Sequence, residues 1–494
     1  MDGQLTSSAI GRQGGRAFHV AAVLGLTVAA FGLRMIVTRS IWLDEAISIA
    51  QAQLPFDEML AGLAAYDVHP PLHHAVLWLT VRLLGTGELA VRLPSIIAGT
   101  LLVPTLYGAG RDLYDRRVGL AAAALGAIAP IAIWYSQEAR MYAIFMLFSL
   151  IAVWAQVRVL RTGRLGGWAV YSLATAAMIW TQYAAVLQVL VQQGAFAVAY
   201  WQRRRTGEHR RLRRAWIAST VTILLLLAPL WPLLEGQLHA YADRSAGQVL
   251  PAQAGLGATR PSEQLSVYAF IAAVVWSVWG YHADGPMAQI VALWPLGMLL
   301  LLLLLGRGYS QLSTLLLAVA GIPALLLFAV GLAQRNLFEP RYFAGAVSAG
   351  LLLMARLASS ANNRGARTVV VGLVATSLLV GLADQQLNGA NPRLYDFRGA
   401  LAQVASRAGP EDVVIYEPDF IGPVVDYYAA QLDAKPLNEG VPPPDRRRRV
   451  FLIGSFLQEP RSASQVGRAV EQLALRRRRV DEFRTPNVTV WVFR

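Results

Sequence analysis

Four short stretches of this 494-residue chain carry side chains able to do chemistry. In SIWLDEAISIAQ, Asp44 and Glu45 stand side by side and Ser48 follows four residues after Asp44. If the stretch is helical, Asp44 and Ser48 share a face while Glu45 points elsewhere. The plain alternative is that both carboxylates cap a short helix at its positive end, for a fraction of a kcal/mol. YDVHPPLHH supplies Asp67, His69 and His73, and YSQEARMY supplies Gln137, Glu138, Arg140 and Tyr142. FEPRYF adds Arg341 and Tyr342. His69 and His73 could chelate a divalent cation with Asp44 or Asp67, but Pro70 and Pro71 explain the same stretch as a helix start. No metal ligand is therefore assigned. Glu138 can equally serve a ligand or pair with Arg140. With no cysteine, thiolate zinc sites, Cys nucleophiles and iron–sulfur clusters are excluded. No glycine-rich phosphate loop follows a strand, so nothing points to a nucleotide.

The elements that must position these residues are set by composition. Apolar residues make up 55% of the chain and charged ones only 15%, against about a quarter in soluble proteins. Apolar blocks of spanning length make it a polytopic α-helical membrane protein. The net charge of +14 lies almost wholly on Arg, since Lys435 is the only lysine. It falls in short runs between apolar blocks, which reads as membrane topology and not as a nucleic-acid surface. Arg12 and Arg16 precede the first apolar block, residues 17–37, which is read as an uncleaved signal anchor with its N-terminus inside. Residues 72–85 are apolar but too short to cross and carry Arg82, so they read as an interfacial helix. Counting them as a span would put Arg111, Arg116 and Arg117 outside, against the positive-inside rule. Further spans are expected at 93–109, 118–135, 139–157, 168–179, 184–201, 216–234, 290–305, 312–332, 343–356 and 369–387. A marginal Trp-rich segment, 267–280, is taken as interfacial. The sum is about eleven spans. The first loop (about 39–92), the QEARMY string and the PRY string then lie together on the outer side.

The texture changes near residue 390. Residues 1–389 read as the transmembrane domain and 390–494 as a soluble, extracytoplasmic α/β domain. Helices are expected at 393–407, 424–432 and 464–475, and strands at 412–417, 450–456 and 487–493. The Arg446–Arg449 and Arg476–Arg479 runs would sit outside, which is tolerated because whole domains translocate largely regardless of charge.

In this order and on one side of the bilayer, the Asp-Glu pair, HPPL, GTGELAVRLPS and YSQEARMYA resemble the bacterial membrane glycosyltransferases of the GT-C class. The likeness is greatest to family-39-like proteins related to protein O-mannosyltransferases and lipid A aminoarabinose transferase. It is strong over about 34–157 and weaker at FEPRYF and the C-terminal domain. The resemblance implies many helices over a cavity, a polyprenyl-phosphate sugar as donor, and an extracytoplasmic glycolipid, glycan or protein hydroxyl as acceptor. It also implies a bacterial cytoplasmic membrane location with the active site facing outward.

By that likeness Asp44 is the general base, Glu45 a supporting or metal-binding carboxylate, and Glu138 a second acidic residue of the site. Arg140 and Arg341 would hold the donor phosphate, with Tyr342 and His69 lining the same pocket. Asp67, Gln137 and Tyr142 are candidates for contact with sugar or acceptor. His69 stands where aminoarabinose-transferase relatives have Lys, and a neutral imidazole donates less to phosphate. No cofactor is required by this chemistry, and a divalent cation is the one alternative left open. A lipid phosphate leaves as a stable anion, so one base and phosphate-binding cations suffice, unlike the carboxyl pair of a glycosidase. The rival reading is a transporter or flippase, for which paired halves with mid-span charges or Gly/Pro breaks would be expected. Here the acidic residues gather at one rim.

Overall fold

A computed structural model describes residues 2–204, 209–245, 310–333, 340–361, 363–389, 391, 394–439, 448–458 and 460–494. The chain opens with a long helix, α1 (Asp2–Met35), followed by an extended link and three short helices: α2 (Leu43–Gln53), α3 (Phe56–Tyr66) and α4 (Leu72–Leu84). Next come α5 (Glu88–Leu113), a bent pair α6 (Arg116–Ile128) and α7 (Pro130–Ser136), and α8 (Tyr142–Thr162). Helices Leu165–Thr181, Ala185–Arg203, His209–Leu227, Trp231–Ser245, Gln311–Ala333, Ala344–Ala358 and Arg364–Leu387 complete the helical part. Among the described residues six helices are long and apolar enough to cross a membrane, or seven if the α6–α7 pair counts as one span. Each expected span has its helix except residues 290–305, which lie outside the described residues, as does the Trp-rich segment 267–280.

The bend between α6 and α7 has a covalent cause. Pro130 has no N–H to give the Gly126 carbonyl, and it pushes Ala129 into an extended conformation (ψ 119°). The two helices meet at 56°. Orphaned carbonyls inside an apolar bundle need a donor, and Arg34 of α1 supplies it. Its guanidinium donates to the carbonyl oxygens of Gly126 (3.1 Å) and Ala127 (3.3 Å) and to Ser136 Oγ (3.2 Å). A long cation near a span end commonly snorkels to the interface, but Arg34 is fully buried as a cap on the break. Gly99 of α5 makes room, since a Cβ there would lie 1.8 Å from Ser136 Oγ.

The C-terminal region is a five-stranded sheet of order β2-β1-β3-β5-β4. Its strands are β1 (Val413–Glu417), β2 (Lys435–Pro436), β3 (Val450–Ser455), β4 (Arg479–Thr485) and β5 (Val488–Phe493). β1 runs parallel to β2 and β3, and β5 runs antiparallel to β3 and β4, with Ile415 opposite both Lys435 and Leu452. Helix Pro460–Ala474 covers the face of Ile415, Leu452 and Trp491. Helices Phe397–Arg407 and Gly422–Ala429 cover the opposite face, and that core continues into Ile41, Leu43, Ala46 and Ile49 of the first loop and α2. One apolar core thus crosses the expected boundary at residue 390.

Candidate active site

The site is built where the extended link, α2, the α3–α4 turn, the α7–α8 turn and the turn Pro340–Phe343 meet. The two neighbouring carboxylates of α2 divide as their helical angles require. Glu45 turns inward. Its carboxylate accepts Arg92 Nε (2.8 Å) and Nη2 (2.7 Å), the Ala139 N–H (2.7 Å) and the Trp42 N–H (3.2 Å). The last contact caps α2, so the capping alternative holds for Glu45. Its four acceptor positions are occupied by protein donors, and its geometry is that of a strut between the first loop and the α7–α8 turn.

Asp44 faces the other way, into a cluster of arginines. Its Oδ2 lies 2.7 Å from Arg341 Nη1 and 3.9 Å from Arg140 Nη2. Ser48 shares this face: Arg140 Nη1 donates to Ser48 Oγ (2.7 Å) and to the Asp44 carbonyl (3.3 Å). Residues nearly a hundred and nearly three hundred positions away from Asp44 are thereby gathered around one buried carboxylate. Arg341 also lies 5.9 Å from the Tyr342 ring. α8 opens at Tyr142, close to Arg140, and helix Ala344–Ala358 opens just after Arg341. Two positive helix ends therefore reinforce the cationic side of the cluster.

Behind Arg140 stands a carboxylate–imidazole pair. Asp67 ends α3 and accepts the N–H groups of Val68 (2.6 Å) and His69 (3.1 Å), with His69 Nδ1 at 2.5 Å. Burial pushes the Asp67 carboxyl up, but the His69 contact outweighs it and holds Asp67 well below the usual carboxylate range. With Nδ1–H committed to this carboxylate, the network assigns His69 Nε2 as the acceptor of Arg140 Nη2 at 3.3 Å. His69 was expected to line the phosphate pocket. Both its ring nitrogens instead engage protein groups, and it steers Arg140. His73 does not join it: burial keeps that imidazole neutral, and its Nε2 meets the Ala139 carbonyl at 3.0 Å. Among the described residues no three His, Asp or Glu side chains are grouped to hold a metal.

The remaining candidates fall around the α7–α8 turn. Glu138 pairs with Arg39 at 3.5 Å, and not with Arg140, one of the alternatives open to it in the sequence. Burial pushes its carboxyl up to about 7, against the pull of Arg39. Arg39 lies 3.5 Å over the Trp134 ring in a cation–π contact. Gln137 Nε2 donates to the carbonyls of Leu33 (3.2 Å) and Ile36 (2.9 Å), closing the end of α1 and turning its amide away from the arginine cluster. Tyr142 has a buried hydroxyl without a hydrogen-bond partner, and its ring sits 4.6 Å from Tyr135. The buried Arg140 Nε and Trp42 Nε1 are likewise unpartnered. The sequence reading gave no role to Glu88 and Arg92, although GTGELAVRLPS holds them four apart on one helix face. Arg92 is buried and bonds Glu45 together with the carbonyls of Arg39 (3.0 Å) and Ser40 (3.0 Å).

With this geometry in hand, the relatives can be compared. Residues 68–232 match the family model described as dolichyl-phosphate-mannose-protein mannosyltransferase, about a third of the chain. No curated protein matches in sequence. ArnT of Cupriavidus metallidurans, solved bound to undecaprenyl phosphate, superimposes with a TM-score of 0.57. The match covers 97% of this chain and 98% of that one at 14% identity. The archaeal oligosaccharyltransferase AglB of Archaeoglobus fulgidus, in complex with an inhibitory peptide and a dolichol-phosphate, gives a TM-score of 0.50 at 12% identity, over 86% of this chain and 64% of that one. Such identities speak for the fold. The likeness carried by the Asp-Glu, HPP and QEARMY strings is borne out at that level: the chain has the GT-C fold of the polyprenyl-phosphate-dependent membrane glycosyltransferases.

Proposed function

We propose that the protein is a membrane glycosyltransferase that moves one pentose or hexose from a polyprenyl-phosphate donor to a hydroxyl of a glycolipid, glycan or protein. The observation that carries the reading is the single buried carboxylate of Asp44 set between Arg341 and Arg140. A general base beside a cationic cradle is what displacement of a lipid phosphate needs. Asp44 takes the proton of the acceptor hydroxyl as its oxygen attacks the anomeric carbon opposite the phosphate. The C–O bond to phosphate breaks, and its electron pair leaves with the lipid phosphate, whose charge Arg341 and Arg140 receive. Inversion at the anomeric carbon follows. Arg341 is suited to this exchange because its fork holds either a carboxylate or a phosphate. An arriving phosphate competes with Asp44 for Arg341 and frees the carboxylate to act as a base.

ArnT with undecaprenyl phosphate and AglB with a dolichol-phosphate share this fold and support the donor class. The same reading places the site and the domain of residues 390–494 on the outer face of a bacterial cytoplasmic membrane. Mannose, galactose, arabinofuranose and aminoarabinose are the sugars to try. The test incubates purified protein with undecaprenyl-phosphate esters of these sugars and, in turn, glycolipid, cell-wall glycan or protein acceptors, and measures acceptor-dependent release of undecaprenyl phosphate. Turnover with one of them, abolished in Asp44→Asn while undecaprenyl phosphate still binds, is expected. Undiminished turnover in Asp44→Asn would remove the base from the proposal.

A further inference from the structure

The extended link between α1 and α2 fixes where Asp44 points, and its backbone groups have no helical partners of their own. The membrane part satisfies some of them, through Arg92 on the carbonyls of Arg39 and Ser40. The C-terminal domain satisfies others. Arg398 donates to the Thr38 carbonyl (3.0 Å), and the Ser40 hydroxyl bridges the Tyr395 carbonyl and the Phe397 N–H. Tyr428 accepts the Ile41 N–H at 2.6 Å, and its own hydroxyl donates to Glu88 Oε1 at 2.7 Å. Glu88 lies 3.7 Å from Arg92, and Arg92 holds Glu45, the neighbour of Asp44. A continuous polar chain therefore runs from Tyr428 to the base-bearing turn, and helix Gly422–Ala429 packs directly against α2.

We infer that Tyr428 is a positioning residue for Asp44, so that the C-terminal domain forms part of the catalytic framework instead of an appended module. The inference rests on Asp44 being the base. Tyr427 provides the control: its hydroxyl donates to the Thr86 carbonyl at 2.7 Å, anchoring the same helix without touching the link.

Full-length Tyr428→Phe and Tyr427→Phe are compared by hydrogen exchange over residues 38–46 and by turnover with the undecaprenyl-phosphate sugar that wild type accepts. Tyr428→Phe is expected to speed exchange at the Ile41 amide about tenfold. It should lower kcat about ten- to a hundredfold, since small misplacement of a reacting group has that effect. The KM for donor should stay within about twofold, and Tyr427→Phe should change neither readout. Equal effects from both variants would reduce the contact to domain docking and overturn the inference, as would unchanged kcat in Tyr428→Phe. A wrong base assignment shows itself separately, as full turnover in Asp44→Asn.

Discussion

Replacing Glu45 by Gln and Asp44 by Asn removes one charge at each of two adjacent positions, yet the two changes should fall on different properties. Glu45 is 1% exposed, and its two oxygens receive four N–H groups. A Gln side chain offers one oxygen and one NH2, so some of those donors meet another donor and Arg92 loses its buried counter-charge. Breaking a buried ion pair from one side costs about 3–5 kcal/mol. Asp44 bonds Arg341, whose side chain is 20% exposed, and Asn still offers an oxygen to that bond. The carboxylate is buried, but Arg341 can turn its charge towards solvent, so the loss there should be about 1.5–3 kcal/mol, the scale of a hydrogen bond to a charged group. Thermal unfolding of the purified variants in detergent should therefore show the larger loss in Glu45→Gln, while Asp44→Asn loses less stability and all turnover. Pairing Glu45→Gln with Arg92→Met removes both charges and should recover most of the lost stability. Equal destabilisation by the two single changes, or no recovery in the double variant, would refute the division of labour.

The raised Glu138 carboxyl makes stability depend on pH with a definite sign. The folded state favours the protonated form, so stability is fully present below about 4.5 and declines as pH rises towards about 7. Glu138→Gln should flatten that decline in pH-dependent unfolding. Asp67→Asn frees the His69 tautomer and loosens Arg140, so binding of undecaprenyl phosphate, measured by calorimetry, should weaken about ten- to a hundredfold, the scale of a hydrogen bond to a charged group. Gly99→Ala drives a methyl group into Ser136 and the Arg34 cap, and overpacking of this kind should cost about 1–3 kcal/mol in thermal unfolding, with activity at low temperature retained.

What the sequence could and could not tell follows from the range of each interaction. Spans announce themselves through hydropathy over some twenty residues, and strands β1, β3 and β5 through short, mostly apolar runs. β4 escaped because its residues, RVDEFRT, are polar and mostly exposed at the sheet edge. The α6–α7 bend was absorbed into one span because Pro130 lies inside an apolar run. In the site, the Asp44–Ser48 face was legible from helical spacing, and Asp44, Arg140 and Arg341 do meet. Which carboxylate pairs with which arginine was not legible: Glu138 chooses Arg39 and Glu45 chooses Arg92 through tertiary placement, which no local spacing encodes. The Tyr428–Ile41 bond, between residues 387 apart, lies further still from any local signal.

The shared apolar core also sets an order of events during synthesis. α2 and its neighbours emerge from the ribosome hundreds of residues before the sheet that covers them, so their apolar faces must wait, uncovered, until the last strand is made. Assembly of the candidate site then waits on the sheet, and a nascent chain arrested before β5 should have threaded the bilayer with that site still incomplete.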